Sequence, residues 1–283
     1  MRTISKAAEM QDAVNREKSR GKTIGFVPTM GFLHQGHLSL VRESLKKTDV
    51  TVVSIFVNPT QFGPKEDFRD YPRDIHRDTE ILEKEGVDYL FFPDNAEMYP
   101  EGYKTYVEVH DLQDKLCGRS RPGHFRGVCT VVLKLFHIVE PDFAYFGQKD
   151  AQQAIILKRM AEDLNVRVKV EALPIVREED GLALSSRNTY LSQEERRAAL
   201  VLSKSLDEAR QMVENGEMDA ARITDRMREM INQEPLARID YVEIVDMDDL
   251  DPVNTIEKET LAVLAVFVGK VRLIDNTILR VKE

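Results

Sequence analysis

Cysteine occurs only twice in this chain of 283 residues, at Cys117 and Cys129. With no CxxC spacing and no adjoining Cys/His cluster, the pair argues against a zinc site and a disulfide framework, and fits two reduced core thiols in a reducing cytosol. Long hydrophobic runs are missing too. The longest, residues 261–268, falls far short of the roughly 20 apolar residues of a membrane span. The N-terminus carries no basic-then-apolar signal pattern, so a cytoplasmic protein with no membrane partner is expected. Positive charge is in deficit: 40 Lys and Arg against 49 Asp and Glu leave a formal charge of -9. That balance argues against nucleic acid as a partner. The one dense basic run, Arg119, Arg121, His124 and Arg126, meets either an anionic ligand or water. Neither common phosphate-loop signature, GxxxxGK[ST] or GxGxxG, is found.

What is there is a folded chain long enough for two domains, 42% hydrophobic and 31% charged. Its organising stretch is TIGFVPTMGFLHQGHLSLVRESLKK, residues 23–47. The apolar run 24–27 predicts a buried strand that Pro28 helps to end, and Leu38, Val41 and Leu45 then recur at helical spacing. Between them lies a strand-to-helix turn punctuated by Gly31 and Gly36. Glycine lets backbone approach a ligand closely, and the first helical turn offers N–H groups and partial positive charge, so a phosphate is expected there. His34 and His37, three residues apart across the helix start, can face one side.

The rest of the N-terminal part alternates. Residues 50–57, apolar nearly throughout, predict a strand covered on both faces, and with the preceding strand and helix make a βαβ unit. A helix is expected over 5–18, another near 74–85, strands at 87–92, 142–146 and 166–176, and a helix over 151–164. Residues 128–139 read either as a helix or as another buried segment. Residues 94–127 are irregular, and a long irregular stretch in a regular domain is more often functional than idle. The NPTQFG run, residues 58–63, falls at a strand's C-terminal end, where open parallel sheets collect ligands; it is either a plain turn or an amide site for a polar substrate. Lys149 stands at another strand end feeding a helix, as a point charge for phosphate, with Gln153 one turn on. Ser185, Ser186 and Arg187 offer hydroxyls and a forked cation for triphosphate oxygens. Beyond, Ser192 and Glu195 form a capping-box signature opening a helix to about 215, a second helix is expected over 219–232, and strands over 239–245, 261–268 and 271–274. The expected architecture is therefore α/β: a parallel sheet over residues 1–176 and a smaller α+β domain over 177–283, with an antiparallel sheet.

The HQGH turn resembles the HIGH signature of the nucleotidylyltransferase superfamily. Together with IFVNPTQFG, YPRD, LCGRSRPGHFRGV, FGQKDAQQ and DGLALSSRNTYL, in that order, it is similar to the pantothenate synthetase family. The resemblance implies a Rossmann-like first domain over residues 1–176, a small C-terminal domain over 177–283 covering the active site, and a homodimeric ligase that condenses pantoate with β-alanine, using ATP and Mg²⁺, through a pantoyl-adenylate intermediate. On the matching positions it implies ATP contacts from Met30, Gly31, Phe32, Leu33, His34, Gln35, Gly36 and His37, then from Gly147, Gln148, Lys149, Asp150, Val176, Leu184, Ser185, Ser186 and Arg187. His37, His34 and Lys149 carry the catalytic roles, Gln61 meets pantoate and β-alanine, and Gln153 meets pantoate. The superfamily's KMSKS-like element stands here as ALSSR, which leaves more of the phosphate charge to Lys149. The magnesium ligands have no matching positions. Another nucleotidylyltransferase and a truncated class I aminoacyl-tRNA synthetase share the histidine motif; these two, and a non-catalytic module that binds ATP through the same loops, are the competing readings.

Overall fold

The structure, a computed structural model, describes residues 1–64 and 66–281. In chain order its elements are β1 (Arg2–Ile4), α1 (Ala7–Lys18), β2 (Ile24–Thr29), α2 (Gln35–Lys47), β3 (Val50–Ile55), α3 (Ile75–Glu85), β4 (Tyr89–Phe91), α4 (Asn95–Met98), α5 (Cys117–Ser120) and α6 (His124–Val139). There follow β5 (Phe143–Gly147), α7 (Ala151–Asp163), β6 (Lys169–Leu173), α8 (Gln193–Glu214), α9 (Ala220–Asn232), β7 (Ala237–Val245), β8 (Thr260–Val268) and β9 (Val271–Leu279). The chain divides into two compact units, and residues 115–120 and 149–152 group with the second, which otherwise runs from 175 to 283.

The first unit is built on a six-stranded sheet in the order β1-β4-β3-β2-β5-β6, with every pairing parallel. β3 is buried along its whole length, including Thr51 and Ser54, as a strand with no solvent face must be, and it is otherwise apolar. Val27, Val53, Ile55 and Leu90 from the strands pack with Leu40 and Val41 of α2 and Leu82 of α3 in one core cluster. Each such side chain, taken from water, contributes roughly 1.5–3 kcal/mol. Chain order reverses between β2 and β5, and in open parallel sheets the crevice at the carboxyl ends of such a strand pair is where ligands collect. At the far margin β6 pairs only with β5 among the described strands, and Glu171 on it receives Lys47 at 2.8 Å and Lys169 at 2.9 Å.

Several expectations shift. No sequence pattern announces β1; three residues give no periodicity, and the strand exists only through pairing with β4. Residues 128–139 lie in a helix that begins four residues earlier, at His124. β6 is shorter than the 166–176 run, because Pro174 has no N–H for the ladder. The irregular stretch 94–127 contains the short helices α4 and α5 and a 3-10 turn at Leu112–Asp114.

The second unit has an antiparallel three-stranded sheet, β7-β8-β9, as the C-terminal strands predicted, with β9 running on to Leu279. Ala199, Leu202, Leu206 and Ala209 of α8 and Ile223, Met227 and Ile231 of α9 pack with Leu264, Val266 and Leu273. The expected capping box opens α8: Ser192 Oγ accepts from Glu195 N at 3.2 Å and Glu195 Oε2 accepts from Ser192 N at 2.8 Å. The short stretches that join this unit are tied in by polar groups. Gln152 accepts from Cys117 N at 3.0 Å and donates to Lys115 O at 2.7 Å, and Ser120 donates to Asp240 at 2.8 Å.

Candidate active site

In the first unit β2 ends at Thr29, whose Oγ1 donates to Ser54 O (2.9 Å) and accepts from Gly31 N (3.1 Å). The chain then turns through two left-handed residues, Gly31 at φ 84° and Phe32 at φ 53°. A side chain at 31 would meet Ile55 Cγ2 at 3.0 Å and Asp78 Oδ2 at 3.1 Å, so glycine is needed there for space as well as for conformation. Holding this turn is Asp78 of α3, 1% exposed, whose two oxygens accept from Phe32 N at 2.6 Å and Leu33 N at 2.8 Å. Arg77 braces the other side, donating to Leu33 O at 2.9 Å with its guanidinium 5.3 Å from the Phe32 ring centroid. Burial pushes the Asp78 carboxyl above the ordinary carboxylate range, against the pull of both N–H groups and of Arg77.

His34 is the N-cap of α2. Its Nδ1 accepts from Gly36 N at 3.2 Å, and Nδ1 of His37 accepts from His34 N at 3.3 Å, a capping box made by two imidazoles. An Nδ1 that accepts carries no proton, so a neutral ring in either position has its N–H at Nε2. The rings lie 4.0 Å apart at 31°. No acidic residue sits in the first turn of α2, so its dipole and both Nε2–H donors favour an anion. The N–H groups of Phe32 and Leu33, by contrast, are taken by Asp78.

At the end of β3 the NPTQ turn is a 3-10 turn, Pro59–Gln61, capped by Asn58. Asn58 is 1% exposed and its orientation is fixed by two backbone groups. Its Oδ1 accepts from Thr60 N at 3.3 Å and its Nδ2 donates to Gly127 O at 3.1 Å. Tyr99 Oη adds a bond to Oδ1 at 2.8 Å, and burial raises that phenol to about 12. Nδ2 also donates to Gln61 Oε1 at 3.0 Å, so Gln61 turns its NH₂ outward, toward Met30 Sδ at 3.2 Å. The outward group of Gln61 is thus a donor, which matches a carboxylate or hydroxyl oxygen in chemistry. Gly127 lets α6 lie against this turn: a Cβ there would stand 2.4 Å from Thr60 O and 2.6 Å from Gln61 N.

The basic run is not one patch. Arg121 grips Glu66 through two bonds of 2.7 and 2.6 Å, and although burial opposes it, that contact holds the Glu66 carboxyl below its usual value. His124 Nδ1 lies 2.8 Å from Gln61 O, Arg126 lies over the Tyr106 ring and 3.6 Å from Glu108, and Arg119 of the second unit pairs with Glu243. Each arginine has a carboxylate, so these side chains shape the protein before they meet any ligand.

Of the remaining expected residues, Gly147 and Gln148 close β5 in the first unit, and Gln153 is partly buried in the first turn of α7. Lys149 and Asp150 belong to the second unit; Nζ of Lys149 stands 3.7 Å from Asp150 Oδ2, and its carbonyl accepts from Asn276 Nδ2 at 3.0 Å. Val176 O accepts from Leu184 N at 3.0 Å, which sets the ALSSR run beside Val176. Ser185 Oγ caps the next turn by accepting from Arg187 N at 3.3 Å, and Ser186 is buried. Asp78, Arg77, Tyr99, Gly127 and Asn276 escape a reading of the sequence. Only Asp78 leaves a trace: an acid in the i+3 slot of the apolar stripe begun by Ile75 and continued by Leu82. No group of three or more His, Cys, Asp or Glu side chains able to hold a metal occurs among the described residues.

A parallel sheet with a reversal beside its central strand, an imidazole-capped helix at that strand's carboxyl end and an amide turn next to it define a Rossmann-like α/β enzyme of the nucleotide-handling kind. The chain belongs to the pantoate-beta-alanine ligase family, whose model matches residues 2–278. It is 55% identical over 281 residues to the pantothenate synthetase of Caldicellulosiruptor saccharolyticus, covering 99% of this chain and 100% of that one. Pantothenate synthetase from Thermus thermophilus superposes with a TM-score of 0.94 at 46% identity, covering 98% and 99% of the two chains. Pantoate-beta-alanine ligase from Francisella tularensis, solved in complex with beta-gamma ATP and beta-alanine, gives 0.81 at 34% identity and coverage of 98% and 97%. The resemblance seen in the motifs is borne out.

Proposed function

We propose that this protein joins pantoate to β-alanine at the expense of ATP, through a pantoyl adenylate. Family membership over residues 2–278 supports the overall reaction, and the paired imidazoles of His34 and His37 capping the start of α2 are the observation that carries the route. A carboxylate cannot lose oxide to an amine in water. In the first step its oxygen attacks the α-phosphorus of ATP while the bond to the bridging oxygen breaks and diphosphate leaves. In the second, the neutral amine of β-alanine attacks the acyl carbon, AMP leaves with the electron pair of the broken C–O bond, and the amine proton passes to solvent. No nucleophilic side chain is required, so catalysis is positioning and neutralisation of charge.

In this reading His37 donates to the reacting phosphate and His34 stands beside it, both on the first unit with Met30 and Gln61. Gln61 gives its NH₂ to an oxygen of the acid, as its fixed polarity suits, and Gln153 takes another. On the second unit Lys149 supplies a point charge, Ser185, Ser186 and Arg187 supply further donors, and Val176 and Leu184 an apolar edge for the nucleotide. In this reading magnesium would enter with the ATP phosphates, as the MgATP substrate, and would supply charge neutralisation there. The working form is a homodimer in the cytoplasm. Mass detection of pantoyl adenylate with β-alanine withheld, together with pantoate-dependent ATP–diphosphate exchange, tests the route. Exchange without pantoate, or no exchange at all, would overturn it.

A further inference from the structure

The loop that carries the histidines is an anion nest already filled by the protein's own carboxylate. Successive N–H groups of Phe32 and Leu33 converge on the two oxygens of Asp78, at 2.6 and 2.8 Å, from a backbone bent through left-handed Gly31 and Phe32. The residue after that nest is His34, the cap of α2. The direction of both rings is therefore inherited from a carboxylate 45 residues away in sequence from Leu33. We propose that Asp78 is a positioning residue for the adenylation step: by clamping the turn at Phe32 and Leu33 it fixes where His34 and His37 aim their Nε2–H groups. The proposal rests on the adenylation reading above for its kinetic consequence, though not for its geometric one.

The chemistry of the clamp is specific. An ionised carboxylate accepts at both oxygens, whereas an asparagine amide accepts at one and turns an NH₂ against the other backbone N–H. Asp78→Asn thus keeps the volume and breaks one of the two bonds. Arg77, 45% exposed and 3.3 Å from Oδ1, stays in place to hold the outer side of the turn. The rings stay attached to α2 but lose their fixed aim, and misplacement of a reacting contact by about 1 Å costs on the order of 10²-fold in rate.

Two readouts test this on the full-length protein, in Asp78→Asn and, as a control, in Leu82→Ala, which opens a cavity in the core-facing side of the same helix without removing a hydrogen bond to the turn. The first is the single-turnover rate of pantoyl-adenylate formation with ATP and pantoate. The second is the long-range proton–nitrogen imidazole spectrum, assigned with histidine variants, which reports the tautomer at positions 34 and 37 without any reaction. The expected result is that Asp78→Asn lowers the rate about 10²-fold, with a smaller change in KM for ATP, and removes the fixed Nε2–H pattern of both rings. Leu82→Ala lowers Tm while leaving rate and spectrum alone. If Asp78→Asn does not fold, Gly31→Ala disturbs the clamp from the opposite side and is read the same way. An Asp78→Asn protein with native rate and native imidazole signals would overturn the proposal, as would the same changes in Leu82→Ala. If the wild-type protein forms no adenylate, the functional reading fails, and the imidazole spectra still decide the positioning role.

Discussion

The turns proposed to meet ligand in the first unit and Lys149 in the second are built on different terms. In the first, each functional group is aimed by backbone: Asn58 is locked between Thr60 N and Gly127 O, Gln61 follows from Asn58, and the imidazoles cap their own helix. In the second, Lys149 is anchored at its carbonyl by Asn276, while its ammonium sits at the end of a flexible stem, 3.7 Å from Asp150. A planar donor that must meet one oxygen needs a rigid mount. A point charge that neutralises a phosphate needs reach, and lysine supplies it.

Breaking each side of that contrast should give unequal losses. The largest is expected from His37→Ala, which removes an aimed donor; by analogy with oxyanion donors it should cost about 2.7–4 kcal/mol at the transition state, read as single-turnover adenylation. Lys149→Ala should follow, lowering the same rate by about 10²-fold, with Lys149→Arg recovering part of it because charge matters more there than shape. An arginine as inactive as the alanine would erase the distinction. Gly127→Ala forces α6 off the NPTQ turn and should cost about 1–3 kcal/mol in stability, with KM rising for the acid and not for ATP. Thermal melts and initial rates in parallel would show whether the turn is as unforgiving as 2.4 Å implies.

Alkali offers a subtler probe of the rigid side. Tyr99 keeps its proton up to about 12 in the fold against 10.0 for the free group, chiefly through burial, and Cys129 is likewise pushed from 9.0 to about 12. In both cases the unfolded chain releases the proton first. Their contributions are therefore whole below pH 9.0 and are lost as pH climbs toward about 12. Tm measured across that window should fall with pH, and Tyr99→Phe should flatten the part above pH 10.0. The smallest effect is expected from Asn276→Ala: loss of one hydrogen bond to the Lys149 carbonyl, about 1 kcal/mol, read as a modest rise in KM for ATP.

What could be read from the sequence was what depends on near neighbours. β3 declared itself because a strand buried on both faces is apolar nearly throughout, Thr51 and Ser54 being the exceptions here, and α8 because Ser192 and Glu195 are the usual capping pair. The HQGH turn was legible as a strand-to-helix turn opening α2, yet its capping box was not, since imidazoles replace the expected hydroxyl and carboxylate. Asp78, Tyr99 and Gly127 stayed hidden because each acts on a partner 41 or more positions away, and no local spacing encodes such a meeting. The basic run left its role open for the complementary reason. Arg119, Arg121 and Arg126 each meet a different carboxylate in space, while Arg121 and His124 lie 3.1 Å apart and share the Gln61 carbonyl.

The outer strand of the large sheet has a bearing on the molecule's life among copies of itself. Along β6, Lys169 and Glu171 stand two residues apart with Lys47 drawn in beside them. A foreign strand sliding along that margin to extend the ladder would have to disperse three interlocked charges before gaining its first backbone bond. The parallel sheet can remain open at its side without inviting fibre growth.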